Sequence, residues 1–250
     1  MTSKRTAIVF VLACTWVAWA RGEAPETIPA DRFLELARRP FTQNAWGQFR
    51  GRVQHRGPEG RYSMDLRLSL LLRRDFLRAQ IVLDSKTVYN IMQVYYKDGL
   101  PNVTISEPRP EPEHGLQDLG IEPSDITFSF LYWQLEREHE AQEVRGHRCR
   151  VLELKHPETG DRVRAWFSAE HAFPLRVRTV DGGTSSVPRV IEFTEFKKEG
   201  ELWYVKNLRL SKGTTWKTQV TFSRADMALA EEKPPPPSLF LPEHLPAPKQ

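Results

Sequence analysis

The segment Tyr62–Leu72 restricts the fold of this chain more than any other stretch. Apolar side chains occupy every second position, and charged or polar side chains fill most positions between them. A period of two residues is that of a β-strand with one buried face and one solvated face. The apolar series is Tyr62, Met64, Leu66, Leu68, Leu70 and Leu72, and the opposite series includes Asp65, Arg67, Ser69 and Arg73.

Comparable alternation continues over most of the chain, and short turn sequences such as Arg56–Gly60 and Asp84–Lys86 separate the runs. We count about eleven strands, which is within the size that a curled or barrel-like sheet reaches. Tight turns between consecutive strands indicate an antiparallel meander, because parallel strands need long crossovers. The sequence therefore predicts a mainly β protein built on one curved antiparallel sheet. Among the predicted strands are Leu77–Leu83, Val88–Tyr96, Asn102–Ser106, Glu136–Arg145, His147–Leu154, Arg162–Ser168 and Trp216–Phe222.

Helices are predicted in only two places, and both are short. Asp31 is expected to cap a helix over Arg32–Arg39, which Pro40 ends. Two short helices cannot cover about eleven strands, so the sheet is expected to wrap around itself. The interior of such a wrap is either filled by its own side chains or open to an apolar ligand. The residues alone leave both alternatives.

Ser124–Trp133 interrupts the alternation. Its second half is almost entirely aromatic or aliphatic, and no charge occurs between Asp125 and Glu136. A soluble domain cannot leave so much apolar surface exposed, so this segment is expected to cover the sheet as a lid or plug. Pro123 followed by Ser124 is typical of a helix start, whereas the aromatic residues would equally suit a strand, and we favour a short helix or helical turn. We assign the lid and the apolar interior to Phe128, Phe130, Leu131 and Trp133, to Leu66, Leu68 and Leu70, and to Trp166 and Phe167.

The first twenty residues have the pattern of an export signal. Lys4 and Arg5 form a basic start, Thr6–Trp19 is uncharged and mostly apolar, and Ala18–Ala20 fits the small-x-small cleavage pattern. The apolar run is short for a transmembrane helix, which needs about 20 residues. We therefore predict export to the periplasm.

A second interpretation of the same segment remains open. Val11–Cys14 resembles a bacterial lipobox, in which Cys14 is lipidated and anchors the protein in the cell envelope. Both routes place the protein outside the cytoplasm. The predicted organisation is a signal peptide at residues 1–20, a linker and short helix at 21–40, the β domain at 41–226 and a Pro-rich tail at 227–250.

The charged residues do not indicate a nucleic-acid partner. The formal net charge is +4, and Lys4 and Arg5 of the predicted signal peptide contribute two of these charges. The other basic residues are scattered among glutamates, and the sequence contains no basic stripe or recognition motif. We interpret them as solvated strand faces.

No catalytic, metal or cofactor site is predicted. The seven histidines lack metal-ligand spacing, no serine lies in a nucleophile elbow, and Gly182–Gly183 is a turn pair and not a phosphate loop. Cys149 has no partner once the signal peptide is removed, and its place in a predicted strand favours burial. We expect a non-enzymatic protein.

Three sequence segments together resemble a known bacterial family. The first combines Leu119–Ile121 with Asp125–Trp133, the second is Val144–Leu154, and the third joins Val163–Arg176 to Phe193–Lys198. They are similar to the LolA-like group of outer-membrane lipoprotein-sorting proteins, and the similarity extends over most of the β domain. The resemblance implies an incomplete antiparallel β-barrel with short lid helices.

The resemblance also implies a function. A LolA-like protein would hold the acyl chains of lipoproteins or related lipids in an apolar cavity, in the periplasm, for transfer toward the outer membrane. Envelope transport proteins would be its partners, with peripheral membrane contact. The alternative is a non-carrier interaction or sensor module on the same fold, anchored through Cys14. A hydrolase of lipid esters is less favoured, because no nucleophile next to a base is visible.

Overall fold

A twelve-stranded antiparallel sheet forms the body of the protein in the computed structural model, which describes residues 27–96, 100–106, 108, 112–180, 187–200 and 202–242. The helical elements of these residues are α1 (Ala30–Arg38), α2 (Pro123–Thr127) and two 3-10 turns at Arg39–Thr42 and Ser129–Tyr132. The strands are β1 (Ala45–Gly57), β2 (Gly60–Leu72), β3 (Phe76–Leu83), β4 (Thr87–Val94), β5 (Asn102–Ser106), β6 (Gln134–Val144), β7 (His147–Lys155), β8 (Arg162–Ser168), β9 (Pro174–Thr179), β10 (Arg189–Glu199), β11 (Leu202–Lys212) and β12 (Trp216–Leu229).

The strand order is β5-β4-β3-β2-β1-β12-β11-β10-β9-β8-β7-β6. The chain therefore runs outward from β1 to one edge, crosses to the other edge, and returns to the centre at β12. The two edge strands, β5 and β6, do not pair with each other in the described part of the chain, so the sheet is open. The predicted class, a curved antiparallel sheet that forms an incomplete barrel, is confirmed.

The inner face of the sheet carries the hydrophobic core. The strict alternation of β2 places Leu66, Leu68 and Leu70 on this face, and all three are buried. Side chains from strands as distant as β3 and β10 border one small cavity there. In a flat sheet those two strands would lie about 24 Å apart at about 4.8 Å per strand, so the sheet must curve.

Helix α1 packs its apolar side against the core. Phe33, Leu34 and Ala37 are buried, and the Phe33 and Phe167 rings pack edge to face at a centroid distance of 5.9 Å. The prediction that Asp31 caps this helix is wrong. The helix begins two residues earlier than predicted, with Pro29 at the N-cap and Asp31 in the first turn, where its negative charge interacts favourably with the helix dipole.

A β-bulge interrupts the ladder between β1 and β12. The pairing shifts between Arg50 and Gly51, because Ser223 is an extra residue on β12. As a result Ser223 and Arg224 are both exposed, although consecutive strand residues normally point to opposite faces. A Cβ at Gly51 would overlap the carbonyl oxygen of Thr221, so the close approach of the two strands requires glycine there.

The chain between β5 and β6 joins the two edges of the sheet. We call residues 115–133 of this connection the plug, because they lie on the inner face. The predicted short helix is confirmed as α2, which begins at Pro123. A capping box fixes its start, in which the Glu122 amide donates to the Asp125 carboxylate at 2.8 Å.

The outer face carries the end of the described chain. We call residues 233–242 the strap, because they cross β1, β2 and β3. The Trp46 indole donates to the Lys233 carbonyl at 2.7 Å, and Leu239 is buried against Trp46. At the far end, the Gln80 side chain exchanges two hydrogen bonds with the backbone of Leu241, at 2.9 and 2.7 Å. The strap therefore adds a layer on the side opposite the plug.

No helix in the described ranges is long and apolar enough to cross a membrane. The predicted signal peptide, Cys14 and Gly182–Gly183 lie outside those ranges.

Candidate functional site

Phe128 holds the plug in the centre of the protein. It follows α2 in a left-handed conformation, with a φ of 53°, which is uncommon for a residue other than glycine. This conformation turns the ring inward, where it is fully buried. Its aromatic neighbours, with centroid distances, are Phe41 at 5.4 Å, Phe130 at 5.6 Å, Phe173 at 6.2 Å and Phe193 at 5.4 Å.

A buried ion pair fastens α2 to the sheet. Arg189 of β10 donates to both carboxylate oxygens of Asp125, one of them at 3.0 Å, and to the Gly120 carbonyl at 2.7 Å. Only 12% of the Arg189 side chain and 7% of the Asp125 side chain are exposed. Burial raises the pKa of Asp125, and the Arg189 charge opposes that shift. The carboxylate therefore depends on Arg189 to stay ionised in this position.

A second polar contact lies at the start of the plug. The Thr218 hydroxyl donates to the Leu119 carbonyl at 2.5 Å, and it lies 2.8 Å from His55 Nδ1. Because the only hydroxyl hydrogen is given to Leu119, Nδ1 of His55 must be the protonated donor to Thr218. Burial lowers the pKa of His55, which favours the neutral ring.

Aromatic rings cover this end of the plug. Tyr62 stacks on His114 at 4.2 Å and on His55 at 4.8 Å. Gly120 has a φ of 66° and lies against the Trp216 ring so closely that a Cβ would overlap it. The turn that carries the Leu119 and Gly120 carbonyls therefore has no room for a larger residue.

The opposite end of the plug is held by Arg38 of α1. Its Nε donates to the Leu131 carbonyl at 2.7 Å, and its guanidinium lies 5.3 Å from the centre of the Tyr132 ring. Between the two ends, the Gln93 side chain donates to the Thr127 carbonyl at 3.4 Å. The polar contacts that hold the plug thus go largely to its backbone carbonyls.

Two spaces adjoin the plug, and they differ in size and polarity. The apolar interior beneath it has a volume of about 30 Å³. A groove of about 470 Å³ runs along its outer side, toward the turn between β7 and β8. The interior is bordered by Leu66, Leu68, Ile81, Leu116, Ile121, Ile126, Phe193, Leu208 and Phe222, among others. The groove is bordered by Glu122, Ser124, Asp125, Phe130, Trp133, Asp161, Arg162, Val177, Arg189 and Ile191, among others.

The structure distributes the predicted lid and cavity residues over three environments. Leu66 and Leu68 border the small interior, and Phe130 and Trp133 border the outer groove. The remaining five are buried in the hydrophobic core: Leu70, Phe128, Leu131, Trp166 and Phe167.

Sequence reasoning missed the polar partners of the plug, Arg189 and Thr218. Both lie in ordinary alternating strands, where neither stands out. Asp125, a carboxylate beside the aromatic run, was the one available signal, because a carboxylate in such surroundings needs a partner.

The described ranges contain no group of three His, Cys, Asp or Glu side chains that could hold a metal ion. His171 lies 3.5 Å from the Glu170 carboxylate in the turn between β8 and β9, and burial lowers its pKa. The unsatisfied groups around the plug are neutral, such as the buried hydroxyls of Thr127 and Tyr132.

Comparison with known proteins identifies the class of fold. A domain named for outer membrane lipoprotein sorting, from Vibrio parahaemolyticus, is 16% identical, with a TM-score of 0.57 over 80% of this chain and 93% of its own. A DUF1329 family protein from Desulfovibrio piger is 15% identical, with a TM-score of 0.59 over 80% and 93% of the two chains. No protein-family model and no curated protein matches the sequence.

A LolA superfamily protein from Nitrosomonas europaea completes the comparison. It is 14% identical, with a TM-score of 0.54 over 88% of this chain and all of its own. The protein therefore has the LolA-like fold, as the sequence resemblance implied.

Proposed function

We propose that this protein is a periplasmic carrier, which binds the acyl chains of lipoproteins or related lipids beneath the plug and delivers them toward the outer membrane. The observation that carries the proposal is the plug itself. It lies across an apolar inner face, and it is part of the connection that joins the two open edges of the sheet. The export signal predicted from the sequence of residues 1–20 and the LolA-like fold support the same function.

The plug has to move for this function. The interior of about 30 Å³ has room for a water molecule or two. Sites that bury a ligand of lipid or drug size have volumes of about 300–1,000 Å³. For a carrier this would be the closed state, in which Phe128 occupies the centre that an acyl chain would take.

Local strain at Phe128 supports such a movement. A non-glycine residue in a sparsely populated backbone region costs of order 1–3 kcal/mol. Lifting the plug would release that cost and free the inner aromatic cluster to contact a lipid. The groove bordered by Phe130 and Trp133 lies directly beside the plug and would be the entrance. The Asp125–Arg189 pair would keep it closed in the absence of lipid.

The carrier proposal is tested by lipid binding. We expect lipid to co-purify with the protein from its host, as detected by mass spectrometry, and a fluorescent fatty acid to exchange with it. Ile126 lies on the plug and borders the interior, so Ile126→Asp should abolish uptake, whereas the size-conserving Ile126→Leu should keep it. Circular dichroism confirms the fold of both variants. Absence of co-purified lipid together with absence of probe uptake would refute the carrier.

A second candidate function is a non-carrier module of the cell envelope, for which the filled interior is the supporting observation. In this case protein partners would bind the folded surface, and Cys14 would anchor the protein. A Cys14→Ser variant that leaves the membrane fraction, in a protein without bound lipid, would support this function over the carrier.

A further inference from the structure

The outer face of three central strands concentrates positive charge. Strand β1 lies between β2 and β12, and the register places Arg67 opposite Arg50 and Arg50 opposite Arg224. Like charges directly opposite each other in a sheet are destabilising. No carboxylate in the described ranges pairs with any of these three arginines, and Arg67 donates only to strap carbonyls, at 2.7 and 3.2 Å. Burial and the charge of Arg50 lower the pKa of Arg67.

The bulge at Ser223 creates this row. Phe222, before the bulge, is buried on the inner face, so regular alternation would point Arg224 inward. The extra residue turns Arg224 outward and restores the inward direction for Met227, which is buried. Gly51 leaves the space that the bulge needs. The local backbone is thus built so that a third arginine joins the outer face.

A second cationic row lies at the other end of the same strands. The register places Arg61 opposite Arg56 and Arg56 opposite Lys217. Six residues of strand separate Arg50 from Arg56, which is about 20 Å at about 3.3 Å per residue. Between the rows, Arg52 pairs with Asp65 at 3.2 Å, and both side chains are more than half exposed.

The outer face of β1, β2 and β12 carries a larger excess of positive charge than the chain as a whole. Seven basic and two acidic residues of β1, β2 and β12 point outward, and the formal charge of the whole chain is only +4. The edge strand β6 carries four glutamates instead. The outward basic residues are Arg50, Arg52, Arg56, Arg61, Arg67, Lys217 and Arg224, and the outward acidic residues are Asp65 and Asp226.

The first cationic row lies in a groove of about 500 Å³, which Leu241 of the strap borders. The adjoining Phe240 is half-buried, and the Arg78 guanidinium lies 4.2 Å from the centre of its ring. Guanidinium groups bind phosphate oxygens through paired hydrogen bonds. Partly exposed apolar side chains beside such groups suit the boundary between lipid headgroups and acyl chains.

We propose that the outer face of β2, β1 and β12 docks on an anionic phospholipid surface. A membrane presents phosphate groups side by side over distances such as the 20 Å or so that separate the two rows, whereas a single bound anion would reach only one row. In this orientation the plug, on the inner face, points away from the membrane. The inference is independent of lipid carriage, because a protein that never opens its plug could still bind in this way.

Vesicle sedimentation tests the proposal. Full-length mature protein should sediment with phosphatidylcholine vesicles that contain about one-third phosphatidylglycerol, and not with phosphatidylcholine alone. Binding should weaken steeply as NaCl rises from about 50 to about 300 mM, because salt screens exposed charges. Each basic residue near an anionic surface contributes about fivefold in partition coefficient, so Arg50→Glu/Arg56→Glu/Arg224→Glu should reduce it by at least about a hundredfold.

The matched control is Arg137→Glu/Arg145→Glu/Lys197→Glu, which makes the same change in net charge at exposed positions elsewhere. This control variant should change the partition coefficient by less than about tenfold, because its new glutamates lie away from the docking face and repel the anionic vesicle only at long range. If the triple variant does not fold, the milder double variant Arg50→Gln/Arg224→Gln is measured in the same vesicle assay. Equal losses in the two triple variants would overturn the proposal. It would also fail if millimolar inorganic phosphate displaced the vesicles, or if duplex DNA bound more tightly than the vesicles at equal salt.

Discussion

Breaking the Asp125–Arg189 pair from one side should cost much more stability than removing both partners. Arg189→Met leaves a carboxylate that is 7% exposed without its counter-charge, and Asp125→Leu leaves a guanidinium that is 12% exposed, with only the exposed Glu122 carboxylate near it, at 3.7 Å. Loss of one partner of a buried ion pair costs about 3–5 kcal/mol. The double variant removes both charges and loses the hydrogen bonds to the Gly120 carbonyl and from the Glu122 amide, at about 1 kcal/mol each.

Chemical denaturation of the four proteins measures this cycle. The single variants should lose about 3–5 kcal/mol each and the double variant about 2 kcal/mol, which gives a coupling energy of about 4–8 kcal/mol. In a thermal scan each single loss corresponds to a fall in Tm of about 6–20 °C for a chain of this size. The exposed pair Arg52–Asp65 serves as control, and its substitutions should cost less than about 1 kcal/mol. Additive losses below about 1 kcal/mol in both single variants would show that the pair does not fasten the plug.

Three further predictions concern single residues. Gly120→Ala should cost about 1–3 kcal/mol in unfolding free energy because its Cβ overlaps Trp216, whereas Gly146→Ala, with a similar φ and open space, should cost clearly less. Burial raises the pKa of Cys149 to about 11, so iodoacetamide at about pH 8 should alkylate it at least about a hundredfold more slowly in the native state than after denaturation, as followed by mass spectrometry. Burial lowers the pKa of His55 in the folded state below the ordinary histidine value near 6.5. Below about pH 6.5 the unfolded state therefore binds more protons than the folded state, and Tm should fall as the pH drops through this range. His55→Asn, which keeps a donor for Thr218, should show a smaller fall, and an equal fall would assign the effect to other groups.

The sequence predicted those parts of the fold that depend on local pattern. The alternation in Tyr62–Leu72 identified β2 and its buried face, because strand period alone decides which side chains share a face. The short strand Asn102–Ser106 has the predicted bounds, and the plug contains the predicted short helix. Asp31 was assigned to the wrong helical position, because the helix already begins after Pro29, which is its N-cap.

The local sequence pattern does not predict which residues pair over long distances along the chain. Asp125 and Arg189 are 64 residues apart, and nothing near either residue specifies the other. The basic residues that look scattered along the sequence form two rows, because the register between β1, β2 and β12 aligns them. The volume of the interior was also not predictable, because it depends on the inward turn of one ring, that of Phe128.

The open edges of the sheet have a mechanical consequence. The connection that contains the plug is attached to β5 at one end and to β6 at the other. A change of curvature that moves these two edges apart would lengthen the distance that this connection has to span. It would stretch the connection across the inner face of the sheet. The spacing of the two edges and the position of the plug are therefore linked through this connection.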